Sequence, residues 1–202
     1  MRSLRRVLVA ALAVLGLGLA SKAPAAHPHV WIEAWIDVRL TTAGIEAVRI
    51  HWRFDEFFSS LAITDFDGNK NGRLDPPEID RLVSATIEAL REGNFFTFVR
   101  IGNDTQKLDK VDNFVAKIVE HSLVYEFTVK LDRPVDPTKV DVSVSLYDES
   151  YYIDVTLLER EPVRFSGASP LSCRPDIKPD RERAFYFGMV QPLKIRMQCG
   201  GA

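Results

Sequence analysis

The sequence has little of what marks several specialised protein classes. Only two of its 202 residues are cysteines, and the absence of a Cys-x-x-Cys pair argues against a redox centre. Its 26 lysines and arginines do not outnumber its 28 acidic residues, so the charge gives no indication of nucleic-acid binding. The hydrolase motifs Gly-x-Ser-x-Gly and His-Glu-x-x-His are both missing, and we expect no enzyme activity. The overall composition, with 46% hydrophobic and 27% charged residues, is typical of a globular protein.

The N-terminal segment follows the order of a secretory signal peptide. Three arginines among the first six residues precede an apolar run at residues 7–20, which is too short to span a bilayer comfortably. Ala23 and Ala25 then fill the Ala-x-Ala positions of a cleavage site. The sequence therefore predicts a signal peptide over residues 1–25, a periplasmic mature protein and no membrane span after cleavage. An uncleaved N-terminal anchor is the alternative.

Alternation of apolar and polar residues predicts that the mature chain is mainly β. Residues 30–40 and 45–54 both alternate with period two, and the turn between them predicts a hairpin. If Val38 faces Val48 in this hairpin, Glu33 and Arg53 form a surface ion pair on the outer face.

Later segments return to the same alternation. The candidate strands are residues 96–101, 114–119, 123–131, 140–146, 152–158 and 163–165. We predict an antiparallel β-sandwich formed by residues 26–54 and 95–166, with residues 55–94 inserted between its second and third strands.

The inserted segment, residues 55–94, has helical periodicity instead. Apolar residues recur at spacings of three and four on either side of a polar stretch. Asp55 is placed to cap the first helix, and Gly93 to end the second. These signals predict a helix–loop–helix.

Beyond Gly167 the chain is rich in proline and charge, and residues 167–202 are predicted to form a long irregular tail. The two cysteines, Cys173 and Cys199, both lie in this tail. In an oxidising compartment such a pair predicts a disulfide, and two buried free thiols are the alternative.

The polar stretch between the helices has the spacing of an EF-hand calcium loop. Residues 67–78 place Gly72 at the sixth position, where the chain turns sharply, and Leu74 at the usually apolar eighth. Oxygen ligands are needed at positions 1, 3, 5, 7, 9 and 12. These are Asp67, Asn69, Asn71, the backbone carbonyl of Arg73, Asp75 and Glu78. An Asp- and Asn-rich surface turn that binds no ion is the alternative. Because asparagine fills two positions, we expect weak binding, near about 10⁻⁴ M.

A second metal site, for a transition metal, is predicted at the start of the mature chain. His27 and His29 are separated by one residue, and two imidazoles at this spacing on a strand point to the same side. Imidazole suits Zn²⁺, Cu²⁺, Ni²⁺ or Co²⁺. Two imidazoles alone bind weakly, so Asp148, and after it the outer-face residue His51, are candidates to complete the site. A solvated N-terminal tail that binds nothing is the alternative.

Four stretches of the sequence resemble a family of bacterial periplasmic proteins of unknown function. They are His-Pro-His-Val at residues 27–30, Trp-Arg-Phe-Asp-Glu-Phe-Phe at residues 52–58, the Asp/Asn-rich loop at residues 67–78, and Tyr-Asp-Glu-Ser-Tyr-Tyr at residues 147–152. Members are often labelled as periplasmic components of ABC-type transport systems, and their genes often lie beside metal transporters. The resemblance implies an accessory to transition-metal transport that works with an inner-membrane metal transporter. A calcium-stabilised structural or interaction module with no transport role is the alternative function.

Overall fold

The computed structural model describes residues 28–201, so the predicted signal peptide and His27 lie outside the described residues. The first hairpin forms as the alternation predicts, from β1 (Val30–Thr41) and β2 (Gly44–Phe54). Val38 lies opposite Val48 and Glu33 opposite Arg53, and the predicted ion pair between Glu33 and Arg53 is present. A Cβ on Gly44 would lie 2.2 Å from the carbonyl oxygen of Val135, so only glycine fits at this turn.

Two helices follow, α1 (Glu56–Phe66) and α2 (Pro76–Glu92), and after a short 3₁₀ turn at Asn94–Phe96 the chain returns to strands. The remaining strands are β3 (Thr97–Ile101), β4 (Asp104–Thr105), β5 (Asp112–Val119), β6 (Ser122–Val135), β7 (Val142–Leu146), β8 (Ile153–Leu157), β9 (Val163–Ser166), β10 (Leu171–Pro179) and β11 (Leu193–Gly201). A second 3₁₀ turn, Arg181–Arg183, begins the connection between β10 and β11.

The first sheet has six strands in the order β5-β6-β2-β1-β8, with β9 also paired to β1. The expectation of purely antiparallel pairing is wrong here, because β8 and β9 both run parallel to β1. The chain reaches β8 from β7, which belongs to the other sheet, so this crossover supplies the connection that parallel strands need. Between β8 and β9 the chain continues along the same edge, where the carbonyl of Pro162 accepts a hydrogen bond from the Ile36 N–H at 2.9 Å.

The second sheet has five strands in the order β10-β11-β7-β3-β4, and it overturns the prediction of an irregular tail. Cys173 lies opposite Cys199 in the β10–β11 hairpin, and the predicted disulfide joins them with their Cα atoms 4.1 Å apart. β11 also pairs with β7, so its backbone groups are satisfied inside the sheet despite the charged side chains. Ile195 and Met197 of β11 are buried.

Both sheets and the helices contribute to one hydrophobic cluster. Trp52 and Phe127 from the first sheet are fully buried, as are Val99 and Ile195 from the second, which favours the predicted sandwich. In the described part of the chain, no helix is long and apolar enough to cross a membrane.

Candidate functional site

Asp55 fixes the start of the helical segment to the sheet. One of its carboxylate oxygens, Oδ1, accepts the Phe58 N–H at 2.9 Å, which caps α1 as the sequence predicts. The other, Oδ2, accepts the Trp31 N–H of β1 at 2.9 Å. Four residues further on, the buried Ser59 hydroxyl accepts the Leu123 N–H of β6 at 2.8 Å. The first turn of α1 is therefore fastened to two strands.

The loop between the helices, residues 67–75, is folded by its own polar side chains. Asp67 accepts the N–H groups of Asn71 at 3.1 Å and Gly72 at 2.7 Å. The Asn69 side-chain oxygen accepts the Asn71 N–H at 3.0 Å, and the Asn71 side-chain oxygen accepts the Arg73 N–H at 2.8 Å. These contacts wind the chain tightly, and Gly72 takes the positive φ of 77° that the sixth position of such a loop demands.

Three of the predicted ligand side chains meet at one carboxylate oxygen. The side-chain amides of Asn69 and Asn71 both donate to Oδ2 of Asp75, at 2.8 Å and 3.1 Å. Leu74 is buried at the preceding position and joins the hydrophobic cluster. The predicted positions 3, 5 and 9 therefore converge at one point.

Glu78, the twelfth position, closes the loop from the first turn of α2. Its Oε1 accepts the N–H groups of Gly68 at 2.8 Å and Asn69 at 3.3 Å, and its Oε2 accepts the Asp75 N–H at 2.8 Å. Only 5% of Glu78 is exposed. A carboxylate this well buried requires compensation, which the backbone N–H groups of both ends of the loop supply.

Arg81, one turn further along α2, is a charged neighbour that the sequence reasoning missed. Its guanidinium donates to the carbonyl of Phe66 at 3.1 Å and lies 3.9 Å from Oε1 of Glu78. The spacing of three residues on a helix was the available signal, since such pairs face each other. Arg81 therefore competes with any cation for the charge of Glu78.

The donor set consists of oxygen atoms, as a hard divalent cation prefers. It contains only three carboxylates, with the rest from asparagine and the Arg73 carbonyl. Among residues 28–201, no group of three or more His, Cys, Asp or Glu side chains is arranged to hold a metal ion. A cation in this loop would therefore depend on the neutral oxygens as well as on the three carboxylates.

The residues of the predicted transition-metal site have other contacts. His29 is exposed, its ring lies 4.8 Å from the Tyr152 ring, and its backbone N–H donates to the carbonyl of Tyr152 at 2.9 Å. Asp148 is buried, and its carboxylate accepts the N–H groups of Ser150 at 2.9 Å and Ile153 at 3.0 Å together with the Ser150 hydroxyl. Asp148 thus holds the turn that precedes β8.

His51 lies at the centre of a charged cluster on the outer face of the first sheet. Its ring stacks on Trp35, its Nε2 is 2.7 Å from an oxygen of Asp37, and its Nδ1 is 3.7 Å from an oxygen of Glu126. Burial raises the pKa of Glu126, but hydrogen bonds from Lys117 and Arg49 outweigh it, so the pKa lies below its ordinary value. His51 belongs to this cluster and is fixed there by its neighbours.

Comparison with known proteins gives uncharacterised relatives. The chain is 26% identical over 136 residues to an uncharacterised 15.5 kDa protein, encoded in the trpE 3′ region of Spirochaeta aurantia, covering 64% of this chain and 92% of the relative. It is 25% identical over 146 residues to an uncharacterised protein of Haemophilus influenzae, covering 71% of this chain and 69% of that one. The model of a family described as a protein of unknown function, DUF1007, matches residues 12–191. The chain therefore belongs to the DUF1007 family.

Proposed function

We propose that this chain is a periplasmic protein that binds one calcium ion in the loop at residues 67–78 and acts as an accessory to transition-metal transport. The calcium part rests on one observation above the others. Glu78 is buried, and N–H groups from both ends of the loop hold its carboxylate in place. They are the N–H groups of Gly68, at the second position, and Asp75, at the ninth.

A calcium ion bound here would take the carboxylates of Asp67, Asp75 and Glu78, the side-chain oxygens of Asn69 and Asn71, and the carbonyl of Arg73. The ion would supply positive charge to a loop whose carboxylates are otherwise satisfied by N–H groups. The chain's own contribution is preorganisation, because Asp67 and the asparagines already fold the backbone. Preorganisation lowers the entropy that binding must overcome.

The transport part of the proposal is supported by the resemblance noted in the sequence. Under it, an inner-membrane metal transporter is the partner, and His27, His29 and Asp148 form a second site for Zn²⁺, Cu²⁺, Ni²⁺ or Co²⁺. Asp148 would have to release hydrogen bonds to Ser150 and Ile153 to become a ligand, so its part in the site carries a cost.

A calcium-stabilised structural or interaction module is the second candidate function. The fastening of α1 to two strands favours it, because a helical segment so tied gives calcium a purely structural role.

Two titrations of the exported chain test both parts. Calorimetry with calcium should give one equivalent, and the same experiment on Glu78→Gln should give none. Zinc, copper, nickel and cobalt are then titrated into calcium-loaded protein, where a further equivalent that is lost in His27→Ala/His29→Ala supports the accessory role. Calcium binding without any transition-metal binding supports the structural module, and absence of calcium binding refutes the loop as a site.

A further inference from the structure

The connection between β10 and β11 ends in an exposed apolar tip. Residues 186–189, Tyr-Phe-Gly-Met, form this aromatic tip, and they are flanked by Phe185 and Val190, which pair through backbone hydrogen bonds of 2.9 Å and 3.3 Å. Phe187 is 95% exposed and Met189 67% exposed. Of the large apolar side chains in the described part of the chain, Phe187 is the most exposed, so the tip is costly to keep in water.

The tip is held in place by aromatic and ionic contacts at its base. The Phe185 ring stacks on Tyr147 with centroids 5.1 Å apart, and Tyr186 contacts Tyr151 at 5.0 Å. Below them, the buried carboxylate of Asp180 accepts a hydrogen bond of 2.6 Å from Arg100 of β3. The loop therefore presents Phe187 from a fixed position, which reduces the entropy lost on binding.

The backbone of the tip is strained in a way that projects the aromatic side chains. Tyr186 and Phe187 have φ values of 47° and 58°, in the left-handed region that bulky residues rarely occupy, and Gly188 follows at 79°. Such strain persists only where neighbouring contacts enforce it. The stacking of Phe185 on Tyr147 and the tilted contact of Tyr186 with Tyr151 supply those contacts.

Positive charge lies beside the tip. Arg181 and Arg183 are both exposed, and neither makes a salt bridge among the described residues, while Glu182 lies between them. The nearest other carboxylate in this turn, Asp180, is already paired with Arg100. The connection therefore carries two exposed arginines and one exposed glutamate beside a projecting apolar end, and Glu149 and Arg183 both act on the Tyr147 ring at its base. Any attraction to an anionic surface is local, because removal of Arg2, Arg5, Arg6 and Lys22 with the predicted signal peptide takes the net charge from −2 to −6.

We propose that the aromatic tip is a membrane-docking element that inserts Phe187 and Met189 into an anionic phospholipid surface. A projecting tip led by Phe187, which is 95% exposed, fits a soft planar surface, whereas a protein partner would have to provide a matching pocket. Tyr186 and Tyr151 have the amphipathic rings that favour the headgroup level, and Arg181 and Arg183 would contact lipid phosphates.

Flotation with lipid vesicles tests the proposal on the full exported chain. Vesicles of phosphatidylglycerol and phosphatidylethanolamine should carry the wild-type protein to the top of the gradient, and neutral phosphatidylcholine vesicles should carry much less. Phe187→Ser/Met189→Ser should lower the partition coefficient by about tenfold or more, because both apolar side chains are lost. Arg181→Gln/Arg183→Gln should lower it by about fivefold for each arginine, and only at low salt.

Phe57→Ser is the matched control, since Phe57 is 72% exposed and lies on α1, outside the β10–β11 connection. It should float like the wild type. All variants alter exposed side chains, and unchanged melting temperatures would show that they fold. No flotation of the wild type, or equal loss in Phe57→Ser and in the tip variant, would overturn the proposal. So would concentration-dependent self-association that the tip variant abolishes without any vesicle binding, because the tip would then contact a second copy.

Discussion

Replacing Glu78 by glutamine is the sharpest test of the proposed calcium loop, because the carboxylate stabilises the loop without calcium and would also be a ligand if calcium binds. Its two oxygens accept three backbone N–H groups, from Gly68, Asn69 and Asp75, and 5% of the residue is exposed. Glutamine keeps one acceptor oxygen but has an NH₂ group in place of the other, so a donor would face backbone N–H groups. Hydrogen bonds to a charged group contribute about 1 kcal/mol more than neutral ones, so the loss without calcium should be about 2 kcal/mol.

Calcium should add to this difference. A ligand at ten times its Kd stabilises the native state by about 1.4 kcal/mol, and this corresponds to about 3–6 °C in Tm for a domain of this size. Wild-type protein should show that rise in millimolar calcium, and Glu78→Gln should show none. Thermal unfolding followed by circular dichroism, with calcium or a chelator, measures both effects.

Glu92→Gln is the matched control, since Glu92 is an exposed glutamate at the far end of the same helix. It removes the same charge and should keep the full calcium shift. If the Tm of the wild-type protein does not rise in millimolar calcium, the loop is a polar turn and the cation proposal is refuted. The lower Tm of Glu78→Gln would then reflect only its lost hydrogen bonds.

Three further predictions concern charges and the disulfide. Arg81→Gln should tighten calcium binding by a few-fold up to about tenfold, because the guanidinium lies 3.9 Å from Oε1 of Glu78, a proposed ligand. Arg73→Gln, measured by the same calorimetry, should change the affinity less. A thiol assay on denatured, unreduced protein should find no reactive thiols, and two reactive thiols would contradict the disulfide. Reduction of the Cys173–Cys199 bond, which joins residues 26 apart, should lower the free energy of unfolding by about 3 kcal/mol in a urea titration. Glu126→Gln should be less stable than wild type near neutral pH. Because the folded pKa of Glu126 is lowered, its contribution to stability is present above the ordinary pKa of 4.5 and is lost as the pH falls through the folded pKa. The urea midpoints of wild type and Glu126→Gln should therefore converge in acid. A difference between them that does not depend on pH would contradict this.

Local sequence patterns were sufficient to predict the structure where contacts are local or strictly periodic. Period-two alternation defined the first hairpin, and because the side-chain period is fixed, one assumed pair, Val38 with Val48, gave the register that joins Glu33 to Arg53. The cap at Asp55 was predictable for a similar reason, since its partner at Phe58 is three residues away.

The β10–β11 hairpin was missed because two signals conflicted. Prolines and charges in residues 167–192 suggested a loop, yet Leu193, Ile195, Met197 and Cys199 alternate as a strand does. Giving that alternation more weight would have found β11. The parallel pairing of β8 with β1 has no comparable local signal, because it depends on how the chain crosses from one sheet to the other.

For the candidate ligands too, contacts between residues close in the sequence are easier to predict than contacts between distant residues. The partners of Asp148 are two and five residues away, and the Asx-type turn they form could have been expected from Asp-x-Ser. His51 meets Asp37 and Glu126 across three strands, and the second of these contacts requires the β2–β6 pairing, which alternation alone does not specify.

The way the helices are fastened indicates what calcium could do for this protein. The first turn of α1 is tied to β1 through Asp55 and to β6 through Ser59, and α2 buries Leu82 and Leu90 in the common cluster. An EF-hand that signals must change the angle between its helices, and here such a change would pull buried side chains out of the core. Calcium in this loop would therefore stabilise the helical segment without opening it. A role in transition-metal transport would therefore depend on groups elsewhere, with His27 and His29 as the candidates. Mutating Glu78 should then weaken the fold without changing transition-metal selectivity.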